Sequence, residues 1–164
     1  MTDPSAPALI AAISDSGLAT YVRESEITFP VLQTFHALGI MLMVGTIAIV
    51  DLRILGVLLK GQSAEEVGRT LLPLTWLGFA VMLLSGGALL VAQSGQLYAN
   101  TFLRAKLALL LVAGINVAIF HATTYRSIAA WGGAVAPAQA RLAAATSLLL
   151  WAAVIVVGRY IAYY

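Results

Sequence analysis

The sequence predicts an all-α integral membrane protein: a four-helix up-down bundle preceded by a short N-terminal interfacial helix. Three observations carry this. Hydrophobic residues make up 61% of the 164 positions, charged residues only 10%, and mean hydropathy is +0.95. A soluble domain of this length needs a polar shell that such a composition cannot supply. The apolar residues fall into four stretches, each close to the ~20 residues that cross ~30 Å of hydrocarbon as a helix. Finally, the stretches are joined by short polar connections, which force antiparallel neighbours.

Taken in order, residues 1–27 form an interfacial amphipathic segment. Leu9, Ile10, Ile13, Leu18, Tyr21 and Val22 alternate there with Ser, Asp and Arg23, predicting one or two short helices broken around Ser16-Gly17. A frayed terminus is the alternative. Met1-Thr2-Asp3-Pro4 lacks a basic n-region, so no cleavable signal peptide is expected. Residues 28–164 form the transmembrane domain, with spans at about 29–50, 71–91, 102–125 and 142–161. Pro30 sits in the first turn of span one, where a missing N–H costs nothing, and Pro73 lies near the start of span two. The helix of span one is allowed to run on toward Leu58. The connections are residues 60–66, residues 93–96, and a stretch opening with Gly132-Gly133 and closing at Pro137.

Lys and Arg counts set the expected orientation. The loops after spans one and three hold five (Arg53, Lys60, Arg69, Arg126, Arg141); the opposite side holds four (Arg23, Arg104, Lys106, Arg159). Both termini are therefore expected outside, in a bacterial inner membrane. Each span also carries one small or polar stripe. On span one this is His36, Gly39, Met43, Thr46 and Arg53, and on span two Thr75, Gly78, Met82 and Ser85-Gly86. Span three offers Lys106, Ala113, Asn116 and His121, and span four Ala144, Ser147, Trp151 and Gly158. Lipid offers such stripes no hydrogen bond, so they face other helices.

Several function classes are excluded. Without cysteine there is no disulfide, no thiolate metal site and no thioether-attached haem. A net charge of +2 with no basic run gives no reason to expect nucleic acid. No strand precedes Gly132-Gly133 and no Lys-Ser/Thr follows, so it is not a phosphate loop. The carboxylates are too scattered for paired acid–base work, and an autonomous enzyme is not expected. Asp51 and Arg53, two residues apart, cannot face each other on a helix. They are expected to form a structural polar clamp, Asp51 meeting Arg69 or Arg141 and Arg53 a carboxylate or headgroup. The alternative is a phosphate or carboxylate site, which an Arg fork suits.

His36 and His121 are the two histidines, and ionisable residues inside a membrane are functional candidates. Histidine is a usual axial ligand of haem iron, and bundle interiors are a usual place for such cofactors. Depth separates the pair. His36 lies 15 residues from Asp51, about 22 Å along a helix, whereas His121 lies 5 residues from Arg126, about 8 Å. A single haem gripped by both is disfavoured. A haem on His36 alone is the surviving form. Ser85-Gly86-Gly87 would let a flat macrocycle approach the backbone, and Arg104, Lys106 and Arg159 would meet propionates. The second ligand would be Met82, a water or His36 of a second protomer. Copper(I) is the other possibility, held by His36 and Met43 with Met82 completing the soft set. Against both stands a histidine that simply hydrogen-bonds a neighbouring helix.

Glu24-Ser25, Phe29-Pro30, His36, Gly39, Val44-Gly45 and the run Asp51-Leu52-Arg53-Ile54-Leu55-Gly56 resemble an uncharacterised family of small four-helix bacterial inner-membrane proteins. Lys106, Asn116 and His121 match its third span, and the likeness runs from about residue 18 onward. The resemblance implies four helices and a bacterial inner membrane, but no function. Its architecture is loosely similar to copper-resistance membrane proteins and to b-type cytochromes. The readings that follow are a b-haem subunit transferring electrons with a partner, a cofactor-free accessory subunit, and a copper-handling protein. In each, the partners are the bilayer and a membrane protein or a second copy of the chain.

Overall fold

The computed structural model describes residues 7–131 and 136–163, and the described residues form helices without a strand. Four helices are long and apolar enough to cross a membrane, so the chain is a multi-pass, all-α membrane protein.

Two short helices come first, α1 (Ala8–Ser14) and α2 (Gly17–Glu24). The break falls at Asp15-Ser16, where Ser16 caps α2 by accepting from the Ala19 amide at 3.3 Å. Helix α2 buries Ala19 and Val22 and exposes Leu18 and Tyr21. Arg23 reaches from it to the carbonyls of Ser14 and, at 3.0 Å, of Ala92, tying the N-terminal pair to the end of α4 (Ala64–Ala92).

The first span, α3 (Thr28–Ile54), begins where Ser25 accepts from the Thr28 amide at 2.9 Å. It stops at Gly56, which adopts φ +77°. The Val57 amide returns to the Leu52 carbonyl at 2.9 Å and the Gly56 amide to the Arg53 carbonyl at 3.0 Å, satisfying the last carbonyls of the helix. The glycine closing Asp-Leu-Arg-Ile-Leu-Gly is thus a helix stop, and the helix ends short of Leu58.

Helix α4 is capped by Ser63, which accepts from Glu66 N–H at 3.1 Å, with Glu65 and Glu66 in the favourable first turn. Its first two turns bury Ala64, Val67 and Gly68 and expose Glu65, Glu66 and Arg69. Pro73 therefore lies inside a continuous helix, where interfacial turns pass into hydrocarbon-length apolar sequence. A single turn, α5 (Ser94–Leu97), leads to α6 (Thr101–Thr123), capped by Asn100 on the Leu103 amide at 2.9 Å. A 3₁₀ segment, Tyr125–Trp131, follows, and α7 (Ala138–Tyr160) completes the bundle. The Gly132-Gly133 connection expected between the last two spans lies, apart from Ala136-Pro137, outside the described residues.

Helix α3 packs chiefly on α4 and α6 on α7, and the two hairpins meet along α3 and α7. Helix α6 buries only Ala113 and leans on α7, while α4 and α6 make no comparable contact. The interior divides into two apolar clusters. One, around Ile54, Ala64, Ala140 and Ala144, fills the end near Asp51; the other, around Met43, Met82, Ala113, Trp151 and Val154, fills the end near His36.

Candidate functional site

The α3–α4 crossing sets the geometry of the site. A Cβ built on Gly39 would stand 2.8 Å from the Met82 amide nitrogen, and one on Gly78 2.6 Å from that of Met43. Backbone meets backbone here, which only glycine permits. The two helices repeat the same pattern: Gly39, Met43 and Thr46 on α3, and Gly78, Met82 and Ser85 on α4. In the antiparallel register each methionine lies over the other helix's glycine, a local two-fold arrangement. Polar contacts close both ends. The Thr46 and Thr75 hydroxyls are 2.8 Å apart at one, and His36 meets Ser85 at the other.

His36 occupies the place that Thr75 holds in the partner helix, but it does more than close the pair. Its Nδ1 lies 3.1 Å from the Met82 carbonyl and 3.2 Å from Ser85 Oγ. A carbonyl only accepts, so in the neutral ring Nδ1 carries the proton and Nε2 keeps its lone pair. This is the arrangement that orients metal-ligating histidines. The ring is held against Gly86, where a Cβ would be 2.7 Å from His36 Cε1. Gly86 therefore admits the imidazole itself, and a macrocycle cannot use the same space.

His36 opens onto a cavity of about 250 Å³ shared by four helices. Met43 and Met82 line it from the first hairpin, and Lys106, Trp151 and Arg159 from the second. Five of the sequence-selected residues, His36, Met43, Met82, Lys106 and Arg159, thus converge on it, and Gly86 backs the His36 ring. Gly87, Arg104 and His121 do not reach it. Gly87 faces open space, with nothing within 4 Å of an added Cβ. Arg104 is exposed and donates to the Tyr98 carbonyl at 3.2 Å. His121 is exposed, bonds its own helix at Val117 O (2.9 Å), and lies 15 residues beyond Lys106, about 22 Å along α6. His121 thus stands far from the level of His36, as the helical rise predicts.

Met82, a candidate second ligand in the sequence, supplies the backbone carbonyl that His36 meets and lines the same cavity. Sequence reasoning placed Trp151 in a packing stripe and not at the site. Its signal was available, since it is a tryptophan in mid-span and not at an interface, where this residue concentrates.

At the opposite end Asp51 and Arg53 are both buried, at 8% and 5% exposure. Asp51 neighbours Ser147 of α7, while its Oδ2 has no hydrogen-bond partner among the described residues. Arg53 Nε donates to the Gln62 carbonyl, fastening the α3–α4 loop. Among the described residues neither forms an ion pair within 4 Å. The expected bridge from Asp51 to Arg69 or Arg141 is not made, because both arginines project to the exposed surface. The two residues do pin α3 to its surroundings, through hydrogen-bonding groups on α7 and the loop.

Among the described residues no group of three or more His, Asp or Glu side chains is placed to hold a metal ion. No curated protein and no solved structure matches the chain. A family model does, over residues 19–164, and the chain belongs to that family, a family of unknown function named DUF6644.

Proposed function

We propose that this protein is a small membrane subunit that carries b-type haem on His36 and passes electrons to a membrane partner. The observation that supports it most is the state of His36: Nδ1 anchored on the Met82 carbonyl, Nε2 without a hydrogen bond among the described residues, and the ring opening onto a cavity between helices. The charge of the cavity favours haem over copper. Lys106 and Arg159 line it with no carboxylate among the described residues, which opposes a bare cation and suits a macrocycle bearing propionates. Met43 and Met82 beside His36 still provide the soft set that copper(I) prefers, so copper is the competing reading.

A void of about 250 Å³ is below the roughly 300–1,000 Å³ of ordinary ligand pockets. Haem therefore seats only if the α6–α7 hairpin parts from α3–α4. Helices α4 and α6 make no comparable contact, so the separation has to open chiefly the α3–α7 seam along which the hairpins meet. On this reading the site is five-coordinate or completed by water or a second copy, and the chain sits in a bacterial inner membrane with both termini outside.

The test is an optical spectrum of protein purified after expression with haem supply, beside metal analysis of the same sample. A Soret band lost in His36→Ala supports the reading. A colourless protein carrying stoichiometric copper would transfer the site to the copper reading, and a protein with neither would leave an accessory subunit.

A further inference from the structure

Lys106 is a half-buried lysine on a membrane-spanning helix, five residues in from Thr101 or about 8 Å along α6. Among the described residues its ammonium makes no hydrogen bond and no ion pair. Gly158 of α7 makes room for its stem: a Cβ there would meet Lys106 Nζ at 3.4 Å and its Cδ and Cε at 3.5 Å. A second donor on the same cavity is also unmatched. Trp151 is 9% exposed and its buried indole N–H finds no acceptor among the described residues. Arg159, at the cavity rim, donates to the Tyr163 hydroxyl at 2.6 Å, and among the described residues no carboxylate side chain lines the wall.

An unneutralised cation and an unpaired N–H are both expensive in a low-dielectric interior. They are satisfied together by one kind of guest, an acceptor that brings negative charge. The remaining lining, including Ile40, Val44, Val154 and Ile155, is aliphatic, so the body of the guest is apolar. We propose that the cavity binds the carboxylate of an apolar ligand, with Lys106 taking the charge and the Trp151 indole and Arg159 as flanking donors.

Two sources supply this chemistry, a haem propionate and a long-chain fatty acid, and only the first rests on the haem reading above. The opposing account is a lysine that merely extends its ammonium to lipid headgroups along Gly158. That account gives no dependence on the guest's carboxyl group.

The experiment titrates the purified full-length protein in nanodiscs of zwitterionic lipid with haem, haem dimethyl ester, palmitate and methyl palmitate. The expected result is that at least one acid binds tenfold or more tightly than its ester, the scale of a charge-assisted hydrogen bond. Lys106→Met removes that preference, Lys106→Arg restores it, and Trp151→Phe weakens it several-fold. Discrimination on haem alone assigns the propionate, and on palmitate alone a free fatty acid. The latter leaves this proposal standing while the haem reading fails. Acids and esters binding alike, or binding by neither acid, overturns it. The acid–ester comparison uses the unaltered protein, so it decides the matter even if Lys106→Met does not assemble.

Discussion

Gly78→Ala is the sharpest perturbation of this fold. Its new methyl group would stand 2.6 Å from the Met43 amide nitrogen and 3.0 Å from both Met43 Cα and Gly39 O. All three are backbone atoms of α3, so no rotamer change relieves the contact and the helices must separate by about an ångström. Overpacking of this kind costs about 1–3 kcal/mol. The separation also stretches the 2.8 Å Thr46–Thr75 contact and the 3.1 Å bond from His36 to Met82 O, which places the expected loss at the upper end. Two neighbouring glycines on the same helix serve as internal controls. In Gly86→Ala the clash is with the His36 ring, which can rotate away, so stability changes less while the His36 hydrogen bonds are lost. In Gly87→Ala the methyl group meets nothing within 4 Å, and helix propensity favours it by up to about 1 kcal/mol. The assay is reversible unfolding in mixed micelles, followed by far-UV circular dichroism. The order expected is Gly78→Ala least stable, Gly86→Ala intermediate and Gly87→Ala at or above wild type. Gly78→Ala within about 0.5 kcal/mol of wild type would refute the close crossing.

Further outcomes follow from the same contacts. In the haem-loaded protein, His36→Ala abolishes the Soret band while His121→Ala leaves it intact, because His121 bonds only its own helix; equal loss in both would restore the two-histidine site. A double-mutant cycle on Thr46→Val and Thr75→Val should give a coupling near 0.6 kcal/mol and not above about 1.7, the range for interhelical hydrogen bonds in membranes; zero coupling in micelle unfolding would dissolve the pair. Asp51→Asn should keep or raise stability, since Oδ2 has no cationic partner among the described residues and the amide retains an oxygen for Ser147. A loss above about 1 kcal/mol in the same assay would mean that the carboxylate is paired.

Much of the architecture was legible in the chain, because spanning a membrane is a local property. A run of apolar residues the length of the hydrocarbon must become a helix, whatever its neighbours do. The boundaries were less so. Ser63 and Gly56 set them through hydrogen bonds outside the apolar run, so α4 begins at Ala64, well before its apolar core, and α3 stops at Ile54. Polar stripes correctly named Gly39, Met43, Gly78 and Met82 as interhelical, since lipid rejects what packing accepts. Helical rise alone separated His36 from His121.

What tertiary structure decided is who meets whom, and it did so through contacts between residues far apart in the chain, such as the 29 positions that separate Thr46 from Thr75. Spacing along one helix cannot say that Gly86 shelters the His36 ring, that the Met82 carbonyl holds His36, or that Lys106 and Trp151 line the same cavity from the other hairpin. Nor can it say that Asp51 finds a serine where an arginine was expected. A residue's own sequence sets its depth in the bilayer, but its azimuth has meaning only against a neighbouring helix. That neighbour is chosen by the backbone approach of two glycines in α3 and α4. The four spans follow from composition and length; the cavity that gives them a candidate purpose follows from how closely two of them can touch.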